Sequence, residues 1–237
     1  FISNSAAPAY LAYIAKQAGV KRMVYASSCS VYGYAVDEFY DETGPTTAEY
    51  PYGISKLQGE RSVMSMADDS FSVISLRKGT VSGYSPRMRL DLVVNAMFKS
   101  ALQTGTITVN NPSIWRPILA IDDCISAYIR AIESGLEISG VFNIASENYT
   151  IGEIGEITAE TISKLMKRKV DIDIKDVHDI RNYKVDWSSA KTVLGYSPKG
   201  NVKTIVEELV ENVDNFIDFD NDMYYNIRTF INSKEQK

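Results

Sequence analysis

Hydrophobic positions along the chain fall into alternating helical and strand-like runs. Residues 9–18, AYLAYIAKQA, carry apolar side chains at helical spacing. Gly19 supplies a stop, with Lys21 and Arg22 just beyond it. MVYAS then predicts a short buried strand. Residues 29–51 predict an irregular polar connection containing Gly33, Gly44 and Pro45. A helix is expected from about Tyr52 to about Met66, and FSVISLRKG, residues 71–79, predicts a second buried strand. Helix, strand, loop, helix, strand is the order of an α/β protein with a parallel sheet.

The second half continues in the same manner. Residues 90–103 predict an apolar-faced helix, ITV a short strand and WRPILAI an extended segment. Asp122 or Asp123 is expected to cap a helix running to about Ser134. VFNIAS, residues 141–146, predicts a strand. Thr150 and Glu153 have the spacing of a capping box, opening a helix to about Met166. VDIDIK alternates as a half-exposed strand does. Over residues 201–217, Val202, Ile205, Val206, Leu209, Val213 and Phe216 share one helical face. The tail from about Asp218 is polar with a few aromatics and is expected to be peripheral. No internal repeat or low-complexity segment interrupts the pattern.

The 237 residues, 45% of them hydrophobic, suffice for a sizeable core. A formal charge of -5 argues against a sequence-independent grip on nucleic acid. No apolar run approaches the roughly 20 residues of a membrane span, and no signal peptide opens the chain. The 2 cysteines, Cys29 and Cys124, lack metal-site spacing, so no metal is expected and a reducing, cytoplasmic setting fits. A single histidine, His178, leaves little room for histidine-based acid/base chemistry.

Candidate chemistry lies in YPYGISK, residues 50–56. Tyr52 and Lys56 stand one helical turn apart and project from one face. A phenol is a poor base at neutral pH, and a nearby ammonium favours its phenolate. The pair would form a base for a sugar or alcohol hydroxyl. The same spacing is common on solvated helices, so context decides. Upstream, YASSCSVYG reads as a strand ending in serines, where a doubly wound sheet presents its chemistry.

The ordered set VYASSCSVYG, YPYGISKLQGE, LRKGTVSGYSP, WRPILAIDD and RNYKVDWSSAKTVLGYSP resembles the extended short-chain dehydrogenase/reductase family. More narrowly, it is similar to the NAD-dependent nucleotide-sugar epimerase/dehydratase branch, from about Asn4 to about Val213. The resemblance implies an α/β fold: part of an NAD(P)-binding Rossmann domain, a doubly wound parallel sheet lacking its first strands, with a smaller α/β C-terminal substrate-binding domain. Residues 1–82 with 117–146 would form the first part, 83–116 with 147–220 the second, and 221–237 a peripheral tail. Ser28, Tyr52 and Lys56 match the family's catalytic residues: Tyr52 the acid/base, Lys56 the ribose ligand, Ser28 a hydrogen-bond partner of the sugar oxygen. Asn4 and Thr80 match positions near the cofactor, NAD, with NADP not excluded. Arg116 matches an arginine that clamps the substrate diphosphate. Asp91 and Leu92 fall where the family contacts the nucleotide sugar, Arg181 is a further diphosphate candidate, and Arg87 is chosen by proximity. A homodimer through the helix carrying Tyr52 and Lys56 is implied as well.

Departures from the family pattern narrow the reaction. The dehydratases that remove water across sugar carbons 5 and 6 carry Asp-Glu where Cys29 and Ser30 stand, and the decarboxylases carry Glu at the Ser30 position. Both reactions are disfavoured. Some branches use a cysteine in a Ser-Ser-Cys context, but Cys29 reads first as a small buried residue. Thr80 replaces a usual asparagine. The glycine-rich dinucleotide loop is absent, and GEIGEI, residues 152–157, lies in a helical pattern and is no substitute. Roughly 80 residues are expected upstream by the family layout. A sheet without its first strands leaves apolar surface uncovered, so poor solubility or a low, non-cooperative melt is expected of these 237 residues. A cooperative high-temperature transition of the monomer would contradict that. The activity expected is 4-epimerisation of a nucleotide sugar. The alternatives are a 4-keto nucleotide-sugar reductase or dehydratase and a non-catalytic dinucleotide-binding sensor.

Overall fold

The computed structural model describes residues 1–33, 39–177, 182–216, 218–228 and 231. His178 and the diphosphate candidate Arg181 lie outside the described residues. The chain is α/β. Helix α1 (Ala6–Gln17) ends before Gly19, which takes a positive φ of 80°. Strand β1 (Arg22–Ser28) runs into a 3-10 turn (Cys29–Tyr32), and the short β2 (Phe39–Tyr40) follows. Helix α2 (Pro51–Met64) begins on a proline, whose fixed φ and missing N–H suit a first helical position. Strands β3 (Ser72–Lys78) and β4 (Thr80–Ser82) come next.

Helix α3 (Val93–Thr104) starts three residues later than its apolar pattern predicts. Its approach is tied down outside the helix: the Leu90 N–H donates to the Tyr224 carbonyl, and Arg89 forks onto Asp91 at 2.7 and 2.9 Å. Then come β5 (Thr106–Asn110), β6 (Trp115–Ala120), α4 (Ile121–Glu133), β7 (Gly140–Ile144) and β8 (Glu147–Thr150). Neither Asp122 nor Asp123 caps α4, which has Ala120 at its N-cap. Asp123 is buried inside the first turn, where it accepts from the Lys199 and Gly200 amides and the Ser146 hydroxyl. A long-range contact has claimed the carboxylate that the local pattern assigned to capping.

Helix α5 (Ile151–Met166) carries the expected Thr150–Glu153 capping box. Strand β9 (Asp171–Lys175) is an edge strand with all five residues exposed, more open than its alternation suggests. The remaining elements are β10 (Lys184–Val185), α6 (Ser188–Leu194) and α7 (Val202–Glu211). Helix α7 stops short of residue 217, and a 3-10 turn at Val213–Asn215 still delivers Phe216 to the core. In the segment read as a tail, Tyr224 and Tyr225 are buried against that same core.

Strands β1, β3 and β7 form a parallel sheet in that order, with α2 as the crossover between the first two. One face packs Tyr25, Val63 and Phe71 beneath α1 and α2. The other packs Leu76, Leu119 and Ile144 against α4 and α6. A second layer pairs β4 with β6 in parallel and β6 with β8 antiparallel, and its core gathers apolar faces of α3, α5 and α7. Gly79 marks the passage from one sheet to the other. A Cβ there would lie 2.7 Å from the Pro117 carbonyl oxygen, so a side chain would force β3 and β6 apart. Among the described residues β1 pairs with β3 alone. Tyr10, Leu11 and Ile14 of α1 and Ile125, Ile129 and Ile132 of α4 are exposed.

Candidate active site

The carboxyl ends of β1 and β3 meet the first turns of α2 at a cavity of about 750 Å³. Parallel register sets Ser28 directly beside Lys78. Ser28 Oγ accepts from the Ser30 amide at 3.2 Å and the Ser30 hydroxyl at 2.9 Å. Gly53 lets α2 come close to that turn: a Cβ there would sit 2.6 Å from the Ser30 carbonyl oxygen. This approach brings Tyr52 into the cavity wall with Ser28. Tyr52 is 54% exposed, and its hydroxyl makes no hydrogen bond to the described residues.

Lys56, one turn further along α2, is half-buried. Its Nζ donates to the Ala26 carbonyl at 3.0 Å and stands 5.9 Å from the centroid of the Tyr52 ring. Burial, and then the charge of Lys78, lower its pKa. Asn4 lines the same cavity and donates to Ser55 Oγ at 3.2 Å, while its carbonyl accepts from the Tyr25 hydroxyl at 2.8 Å. Tyr25 is unsuited as a base. Burial, with Glu60 and Tyr52 nearby, pushes its phenol up to about 12.

Thr80, Leu92 and Arg116 line this cavity and also a neighbouring one of about 550 Å³. The two cavities therefore share a wall in which Arg116 provides the charge. Arg116 donates to its neighbour's carbonyl at 2.9 Å. Asp91 lies in the second cavity only and is held by Arg89. Arg87 does not line the first cavity. It donates to Asn226, a lining residue, at 3.4 Å, and Arg89 is the arginine of this segment that lines the cavity. Met88 and Leu90 are buried, and Arg89 between them is fixed by its fork onto Asp91, which holds it at the cleft. Sequence reasoning missed Arg89, Lys78 and Tyr183, all of which line the cavity. Lys78 was legible as a charge at the end of a buried strand, where a polar residue faces the site.

Cys29 is turned away. Its thiol is buried against the Arg77 carbonyl, and burial pushes its pKa up. The described residues contain no cluster able to hold a metal ion and no helix long and apolar enough to cross a membrane.

Residues 1–145 match the model of the NAD dependent epimerase/dehydratase family. The chain belongs to that family. Curated members include UDP-glucuronic acid decarboxylase 6 of Arabidopsis thaliana, 34% identical over 49% of this chain and 34% of the relative. The dTDP-D-glucose 4,6-dehydratase of Bos taurus is 26% identical over 85% of this chain and 59% of the relative. The chain thus spans a third to three-fifths of these relatives. Among solved structures, a UDP-glucuronic acid 4-epimerase from Bacillus cereus with UDP-glucuronic acid and NAD aligns with a TM-score of 0.76 at 25% identity. That alignment covers 89% of this chain and 67% of the other. MoeE5 with UDP-glucose and NAD aligns with a TM-score of 0.77 at 25% identity, over 90% and 72% of the two chains. The family is NAD-dependent and its members are enzymes of nucleotide sugars.

Proposed function

We propose that the chain carries the catalytic half of an NAD-dependent nucleotide-sugar epimerase acting at the sugar 4-position. The observation that carries this reading is the convergence of Ser28, Tyr52, Lys56 and Arg116 on one cavity at the carboxyl end of a parallel sheet. The cavity suits the nicotinamide half of the dinucleotide: Lys56 has N–H donors beyond its bond to Ala26, and Asn4 lies beside it. Bound NAD would supply a hydride acceptor that returns the hydride to the opposite sugar face.

This chain's own residues do the rest. Tyr52 takes the proton of the 4-hydroxyl and later returns it, helped by the Lys56 ammonium on the same helix face. Ser28 holds the reacting oxygen, with its hydroxyl oriented by Ser30. Arg116 grips the diphosphate where the two cavities meet, so the sugar occupies the larger cavity and the nucleotide the smaller. Thr80 and Leu92 form the shared wall between them. Dehydration and decarboxylation are disfavoured because Cys29 and Ser30 supply no carboxyl group, and no Asp or Glu among the described residues lines the larger cavity.

Arg116→Ala is expected to weaken UDP binding about 10- to 100-fold, the loss of one or two charge-assisted hydrogen bonds. Titration calorimetry with UDP checks this. Unchanged affinity would remove Arg116 from the diphosphate site.

A further inference from the structure

The larger cavity holds two ammonium groups, and the reaction proposed above uses one. Lys78 ends β3, beside Ser28 in register, and lines the cavity with Lys56. Its Nζ donates to the Tyr128 hydroxyl at 3.0 Å and lies 5.3 Å from the centre of that ring. Neither lysine has an acidic partner among the described residues. Lys56 has the Ala26 carbonyl and Lys78 has a neutral phenol, and no Asp or Glu of the described residues lies within ion-pair distance of either. The two are close enough for the charge of Lys78 to oppose that of Lys56. Tyr128 and Tyr52 help to keep Lys78 charged against burial.

Unmatched like charges in a sheltered cavity are costly, and an anion placed between them offsets the cost. Arg116 lines both cavities, where the diphosphate is placed, and Arg89 is paired with Asp91. Lys78, in register with Ser28 and lining the cavity with Tyr52 and Lys56, stands instead at the end where the proposed reaction places the sugar ring. We infer that Lys78 is a specificity-determining residue that receives a carboxylate on the sugar ring, so that the preferred substrate is a nucleotide-linked uronic acid. This rests on the reading of the cavity as a nucleotide-sugar site. The Lys78 ammonium has two donors left after its bond to Tyr128, enough for both carboxylate oxygens or for one oxygen and a bridging water.

Calorimetric titration of the whole chain with UDP, UDP-glucose and UDP-glucuronic acid tests it, with Lys78→Met and Lys78→Arg alongside the unaltered protein. The uronic acid is expected to bind about 10-fold or more tightly than UDP-glucose, the scale of one charge-assisted hydrogen bond. Lys78→Met should abolish that preference and leave UDP affinity unchanged, whereas Lys78→Arg should keep it. Equal affinity of the unaltered chain for the two sugars overturns the inference without needing either variant to fold. Preference persisting in Lys78→Met also overturns it. So does a Lys78→Met variant that loses NAD affinity alone, which would assign the lysine to the cofactor. Failure of UDP itself to bind would instead overturn the nucleotide-sugar reading, and the inference with it.

Discussion

Tyr52→Phe is expected to lower turnover of a nucleotide sugar by about 10²- to 10⁴-fold, the usual share of a positioned acid/base group. The phenol is more than half exposed and bonded to no described residue, so removing its hydroxyl disturbs no packing. The ring keeps its place beside Lys56. Circular dichroism and UDP affinity should therefore match the unaltered protein while the rate falls. This separation of binding from rate marks a group that acts in the transition state. A Tyr52→Phe protein retaining more than about a tenth of the rate would place the proton-transfer group elsewhere.

The largest effect on stability is expected from Glu60, two turns beyond Tyr52 on α2. Its carboxylate is buried and bound by Arg77 of β3, with Nη2 to Oε1 at 2.6 Å and Nε to Oε2 at 3.1 Å. Ser75 donates to the same carboxylate at 3.1 Å. Arg77 also reaches the Tyr32 hydroxyl at 2.9 Å, and Tyr32 donates to Asn143 at 2.7 Å. This network ties the helix bearing Tyr52 and Lys56 to β3, β7 and the turn after Ser28. Glu60→Ala would leave a guanidinium buried without its counter-charge and is expected to cost about 3–5 kcal/mol. Replacing both partners, Glu60→Leu with Arg77→Met, should recover most of that loss, because the desolvation penalty leaves with the charges. Urea denaturation followed by circular dichroism reads both. A loss below about 1 kcal/mol for Glu60→Ala, the range of exposed pairs, would show that the pair does not hold the helix.

The sequence made the architecture readable where burial pattern and local chemistry agree. Gly19 precedes the strand before α2 and Gly79 follows the strand after it, both strands carry apolar runs, and the Thr150–Glu153 box announces α5 by itself. The parts that escaped were set by distant partners. Asp123 looks like a cap until Lys199, Gly200 and Ser146 are brought to it across the fold. Short strands such as β4 and β8 have no periodicity of their own and exist because β6 runs between them. In the cavity, the residues suggested by motif spacing along β1, α2 and β6 line one space together, because the register of the sheet converts sequence order into adjacency. Arg87 does not join them, since proximity along the chain does not specify how an irregular segment turns its side chains; Arg89, held by Asp91, lines the cavity instead. Lys78 was overlooked because a lysine after a buried strand reads as a solvated end. Its register with Ser28 brings it to the cavity, where the carboxyl end of a parallel sheet presents its polar residues.

The central claim is tested most directly by incubating the protein with NAD and a panel of UDP-, GDP-, CDP- and dTDP-sugars, resolving products by mass and NMR. An isomer of unchanged mass, formed without net consumption of reduced cofactor and lost in Tyr52→Phe, is the predicted result. A product requiring stoichiometric reduced cofactor, or one lighter by water or carbon dioxide, would contradict it.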